Sequence, residues 1–149
     1  MDSSEITFEV PGQPVPQPRP RVSTRGGFAR AYTPKGHAIH AYREAIELLA
    51  RTNGWRQGPT QGPVAVEIDC YFERPASHLT KLVKVKPAAP SFPGRVDVDN
   101  LAKAVLDAIT TAGTIWADDD QVLELVIRKH YARPQAGGRT IVTVRRLPP

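Results

Sequence analysis

Arg95 to Val122 reads RVDVDNLAKAVLDAITTAGTIWADDDQV, and this stretch decides how the rest of the chain is parsed. Leu101, Val105, Ala108, Ile109 and Ala112 recur at helical spacing, and Gly113 is a natural residue for the left-handed position that ends a helix. The spacing predicts a helix over 99–112. Asp97 and Asp99 stand at the junction where the chain enters it, and Asp118, Asp119 and Asp120 follow its end. A helix of that length spans roughly 20 Å. It holds the two acidic groups apart unless residues 114–119 run back along it or a symmetric partner brings its own group close.

On either side the pattern changes to strands. Val64 to Phe72 (VAVEIDCYF) places Val64, Val66, Ile68 and Cys70 on one face, with Glu67 and Asp69 between them. Val122 to Tyr131 (VLELVIRKHY) and Arg139 to Arg146 (RTIVTVRR) read as two more strands, joined by a loop that ends in Gly137-Gly138. Ile6 to Val10 alternates as a short strand. Residues 73–96 carry Pro75, Pro87, Pro90 and Pro93 and form a long irregular loop, a kind that tends to be functional. Further upstream, Pro11 to Pro20 (PGQPVPQPRP) is extended, because proline lacks the N–H and fixes φ. Gly26-Gly27 marks a hairpin tip between 21–24 and 28–32. Thr33-Pro34 reads as the start of a helix carrying Ile39, Tyr42, Ile46 and Leu49, with Asn53-Gly54 as its stop. The expected architecture is α+β: one domain over 1–149, a mixed sheet of about four or five strands and two main helices packed on it.

Composition narrows the function. The 149 residues carry 20 Lys+Arg against 15 Asp+Glu, a net charge of +5, and the single Cys70 excludes an internal disulfide or a Cys-rich zinc site. No apolar run approaches the roughly 20 residues of a membrane span, and the first residues show no secretion signal, so a cytosolic protein without a membrane partner is expected. Val10 to Arg43 contains no acid, and neither does Arg74 to Arg95. From Asp97 to Asp120, six aspartates face only Lys103. An acidic island in a basic chain suits a metal site inside a phosphate-binding surface.

Plainer readings exist for each part. Asp97 or Asp99 could serve only to cap the helix, Asp118–Asp120 could be a polar turn, and Asp99, Lys103 and Asp107 could form an i,i+4 ladder on a solvated face. A calcium loop beginning at Asp97 fails, because Ala102 and Ala108 stand where Gly and Glu are required. Trp116 is a core or dimer-contact aromatic, and the stretch from Gly113 to Trp116 is the candidate for an apolar dimer contact. His37 and His40 fall on the first helix.

Asp97-Val98-Asp99-Asn100-Leu101-Ala102-Lys103, then Asp107-Ala108, Ala112-Gly113 and Asp118-Asp119-Asp120-Gln121-Val122, resembles the signature of the RusA family of Holliday junction resolvases. Pro11 to Arg21 followed by Tyr32-Thr33-Pro34 is similar to the opening of its phage-type members. The resemblance implies a structure-selective endodeoxyribonuclease of DNA recombination and repair. It implies Mg²⁺, with Mn²⁺ as a substitute, and a homodimer that nicks the two opposed strands of a four-way junction. It also implies a phage or bacterial protein working at the nucleoid in the cytoplasm.

By the same resemblance Asp97 and Asp99 are metal-binding catalytic acids, Lys103 is the catalytic lysine, and Asp119 is the third acid. The third consecutive aspartate departs from the family pattern and leaves Asp118 as an alternative metal ligand. The basic residues expected on branched DNA are Arg19 and Arg21 on the proline-rich arm, with Arg74, Lys81, Lys84, Lys86 and Arg95 as a second patch. A binding module without catalysis, and a hydrolase of small phosphoesters, are the competing classes.

Overall fold

Alternating side chains, one set apolar and one polar, produce a sheet with one covered face. In a computed structural model describing residues 4–149, β1 (Glu5–Pro11), β4 (Val64–Phe72), β5 (Val122–Tyr131) and β6 (Arg139–Arg146) form a four-stranded sheet in the order β1-β6-β4-β5. β6 runs antiparallel to both of its neighbours, whereas β4 and β5 are parallel. The inward set is Ile6, Phe8 and Val10 on β1, Val66, Ile68 and Cys70 on β4, and Val142 and Val144 on β6, all buried. β2 (Arg21–Ser23) and β3 (Arg30–Tyr32) form a separate two-stranded hairpin around the Arg25–Gly27 turn. The mixed sheet and two helices agree with the expected α+β class.

Helix α1 (Ile39–Thr52) buries Ile39, Tyr42, Ile46 and Ala50, and α2 (Val98–Ala112) buries Leu101, Ala104, Val105, Ala108 and Ile109. The start of α1 departs from the expectation: Thr33-Pro34 does not open it. The chain makes a turn instead, with the His37 amide donating to the Pro34 carbonyl (3.1 Å). His37 Nδ1 then accepts from the Ile39 amide at 3.0 Å, so a histidine side chain takes the place expected for Thr33. His37 therefore precedes the helix, while His40 lies on it and contacts the Pro34 carbonyl at 2.9 Å. The end of α2 is as expected, with Gly113 at φ 70°.

Cys70 and Tyr42 lie in the core beside Thr140, with Tyr42 Oη and Thr140 Oγ1 at 2.6 Å. Burial pushes the Cys70 thiol up to about 12, which makes it a small apolar residue and no nucleophile. Gly138 is required by close approach, because a Cβ there would sit 2.7 Å from the Cα of Gln13. This contact fixes the proline-rich arm to the β5–β6 loop, reinforced by the Gly12 amide donating to the Gly138 carbonyl at 3.0 Å.

The stretch proposed above as a dimer contact is corrected by the structure. Ile115 and Trp116 are fully buried in this chain's own core, and Trp116 Nε1 donates to Thr110 Oγ1 at 2.8 Å. Near this stretch, exposed apolar side chains lie instead just beyond, on β5, where Leu123 is 71% exposed and Leu125 42%. β5 is an edge strand that pairs only with β4 among the described residues, and so it has a free edge.

Candidate active site

Two segments bring the acids to α2. The first is the extended run before the helix, where Asp97 is the N-cap residue with β-region backbone (φ −83°, ψ 130°). Its carbonyl accepts from the Leu101 amide at 3.2 Å, but its carboxylate makes no capping hydrogen bond. Asp99 lies in the first turn, and both side chains are exposed. The capping reading of Asp97 thus fails, and its carboxylate oxygens stay available. The proline-rich arm docks against this end of the helix, its Gln17 amide donating to the Asn100 carbonyl at 2.9 Å. Gln17 Oε1 is a buried acceptor with no protein donor.

The second segment is Thr114 to Gln121. It doubles back because it is strapped to the loop after α1. Thr114 Oγ1 donates to the Ala50 carbonyl (3.0 Å), and both Trp55 Nε1 and the Thr60 amide donate to the Ile115 carbonyl (2.9 Å each). Gln121 Nε2 donates to the carbonyls of Thr60 and Gly62 at 2.8 and 2.9 Å. Its Oε1 accepts from the Asp118 amide at 3.0 Å. Asp118 caps the short turn Asp119–Gln121, and its side chain accepts from the Asp120 amide at 3.3 Å. The polar-turn reading therefore holds for Asp118.

Asp119 is left without such a role. Burial raises its pKa above the ordinary carboxylate value; the hydrogen bond that its protonated form donates to Asp118 and the charges of Asp118, Asp107 and Asp120 raise it further. The return of the chain thus brings Asp119 to Asp107, some two turns and about 12 Å along the helix from Asp99. Among the described residues, no three carboxylate, histidine or cysteine side chains gather closely enough to enclose a metal ion. Asp97 and Asp99 stand two residues apart at the start of α2, whereas Asp119 feels the charges of Asp118, Asp107 and Asp120. Lys103 lies between the two groups, its Nζ 3.8 Å from Asp107 Oδ2. The neighbourhood of Asp107 and Asp119 was not legible in the sequence, since the straps that create it join residues some 60 positions apart.

The donor set suits Mg²⁺, which takes one or two carboxylates and keeps several waters. Asp97 and Asp99 could hold it.

The basic residues separate into three situations. Arg19 is exposed on the arm, whereas the Arg21 side chain lies outside the described residues. Lys81, Lys84 and Lys86 are exposed on the long loop, and Arg95 is exposed directly before Asp97. Arg74 is partly buried: its guanidinium lies 4.3 Å over the Tyr131 ring and donates to the Pro90 carbonyl at 2.8 Å. The sequence places Arg74 in the second basic patch but does not reveal its contact with Tyr131, which comes from a separate element.

Comparison with known proteins places the chain in a family. A relative in Bacillus subtilis (strain 168), "Uncharacterized protein YqaN", is 32% identical over 130 residues, covering 85% of this chain and 88% of its own. The family model described as "Endodeoxyribonuclease RusA" matches residues 11–145, from the proline-rich arm to the last strand. The chain belongs to the RusA endodeoxyribonuclease family.

Proposed function

We propose that this protein is a Mg²⁺-dependent endonuclease that resolves four-way DNA junctions by paired symmetric nicks, working as a homodimer. The observation that carries the reading is the pair of exposed carboxylates, Asp97 and Asp99, uncapped at the start of α2 within a basic frame. Bound there, Mg²⁺ supplies polarisation of the phosphoryl group and a more acidic water. Asp97 and Asp99 hold and orient it, and Lys103 offers positive charge to the phosphate as negative charge builds on its oxygens. Its present tie to Asp107 is an exposed i,i+4 pair of about 0.3–0.5 kcal/mol, weak enough to exchange for a phosphate.

The charges of Asp118, Asp107 and Asp120 oppose ionisation of Asp119, and a cation near it would offset them. The separation of Asp119 from Asp97 and Asp99 supports a dimer. A two-fold partner can bring the second group of acids toward the first, and two opposed nicks require two sites. The free, apolar edge of β5 is the surface we assign to it, because an unprotected edge with Leu123 and Leu125 exposed invites strand pairing. β5 starts directly after the Asp118–Gln121 turn, so the proposed contact adjoins the segment that carries Asp119.

The test is cleavage of a synthetic four-way junction beside a linear duplex of the same sequence, in Mg²⁺ and in EDTA. Selective, EDTA-sensitive cleavage that Asp97→Asn and Asp99→Asn abolish, with junction binding retained, is expected. Binding without cleavage by the unaltered protein would leave only a DNA-binding module.

A further inference from the structure

The loop before Asp97 folds into the wall of a cavity of about 660 Å³, open to solvent. Phe92, Tyr131 and Phe72 supply aromatic surface, and Pro75, Pro90 and Pro93 supply stiff apolar walls. Phe92 is 59% exposed, unusual for a ring with so much apolar surface near at hand.

The walls are held from behind. Arg74 packs over Tyr131 and ties down the Pro90 carbonyl, and His78 meets the Tyr131 ring edge-on at 5.4 Å. Lys129 Nζ donates to the Val96 carbonyl at 2.7 Å and lies 5.8 Å from the Phe92 ring. Gln13 Oε1 accepts from the Glu73 amide at 3.0 Å, which pins the arm to the far wall.

Of the charged residues, Arg95 and Glu73 line this aromatic slot, while Arg74 and Lys129 back its Tyr131 and Phe92 rings. Its wall at Arg95 and Val96 runs directly into Asp97. Two residues of extended chain cover at most about 7 Å, and nucleotides along one strand of a duplex are spaced by about 3.4 Å.

On the reading of the acids given above, we infer that this cavity receives one unstacked nucleobase of the strand being cut, a nucleotide or two from the phosphate held at Asp97 and Asp99. An aromatic, apolar slot with Arg95 at the end nearest Asp97 matches a nucleotide's flat base and anionic backbone. A free peptide or lipid would leave the adjacent carboxylates with no part to play. The base stacks on the exposed ring of Phe92. Arg95 takes a flanking phosphate. Bases at a branch point are already partly unpaired, so drawing one out costs least there. The slot thus favours a junction over an intact duplex at the level of a single residue.

The test places 5-iododeoxyuridine at each position flanking the branch point of a synthetic junction, irradiates the protein–DNA complex in EDTA, and maps the linked peptide by mass spectrometry. Cross-links at Phe92 or Tyr131 are expected. Phe92→Leu, an exposed and fold-neutral change, should reduce them and weaken junction binding roughly 5- to 150-fold, the range of one lost base stack. The slope of log K against log salt should stay unchanged, whereas Arg95→Ala should lower it by about one unit.

Cross-links confined to the β2–β3 hairpin, at Phe28 or Tyr32, with junction binding intact, would overturn the pocket and leave the nuclease reading standing. So would a Phe92→Leu protein that binds as tightly as the original. A protein that binds and cuts no junction at all would overturn both.

Discussion

Replacing Asp119 by Asn separates a functional acid from an ordinary turn residue. In the folded chain Asp119 is partly buried and faces Asp118, Asp107 and Asp120, so its ionised form is costly there. Like-charge neighbours on a surface cost about 0.2–0.5 kcal/mol each, and solvent exposure and salt keep the total for three near 0.5–1 kcal/mol. Asp119→Asn should therefore stabilise the metal-free protein at pH 7 and raise Tm by about 1–4 °C for a domain of this size.

The pH dependence follows from the direction of the shift. A carboxyl whose folded pKa lies above its ordinary 3.8 carries its full cost above the folded pKa. As pH falls through that window the folded state takes up the proton first, so the advantage of the variant shrinks and vanishes below pH 3.8. Mg²⁺ acts oppositely, because a cation bound only to the folded form stabilises it by about 2.7 kcal/mol at a hundred times its Kd. Saturating Mg²⁺ should raise the Tm of the unaltered chain more than that of Asp119→Asn and reverse their order, while the variant loses cleavage. Calorimetry across pH 3–8, with and without Mg²⁺, reads all of this. A variant less stable at pH 7, or one that keeps its cleavage and gains as much from Mg²⁺ as its parent, would refute the reasoning. Asp118→Ala is the contrast, since it removes a cap and should cost about 1 kcal/mol at pH 7.

Two further outcomes are expected. Arg19→Ala should reduce the salt slope of junction binding by up to about one unit without altering Tm, as measured by anisotropy titration over a range of salt; an unchanged slope would leave the arm a structural role. Leu123→Glu with Leu125→Glu should give a monomer in light scattering across a dilution series and abolish paired cuts, whereas a dimer that survives both changes would move the interface away from β5.

Much of this protein is written locally. The strands over 64–72, 122–131 and 139–146 and the end of α2 at Gly113 follow from periods of two and 3.6 residues and from glycine's tolerance of positive φ, and they lie where the pattern puts them. The acids and the basic frame are equally legible, because residue type and near-neighbour spacing carry the chemistry. The start of α1 was misread because Thr33-Pro34 is a valid local signal that a competing local contact, His37 to the Ile39 amide, displaced.

Long-range contacts alone decided three things. Ile115 and Trp116 were buried by core packing and by the bonds from Trp55 and Thr60 to the Ile115 carbonyl, leaving Leu123 and Leu125 exposed on a strand whose edge status depends on sheet order. Asp119 reached Asp107 because Gln121, Thr60, Trp55 and Ile115 strap two loops together. Phe92 and Tyr131 became one slot because a loop closed over the end of β5, held by Lys129 and Arg74. Periodicity reports which way a side chain points from its own backbone. Which surface waits opposite depends on contacts between distant residues, whose loop-closure cost is met only when the whole sheet forms.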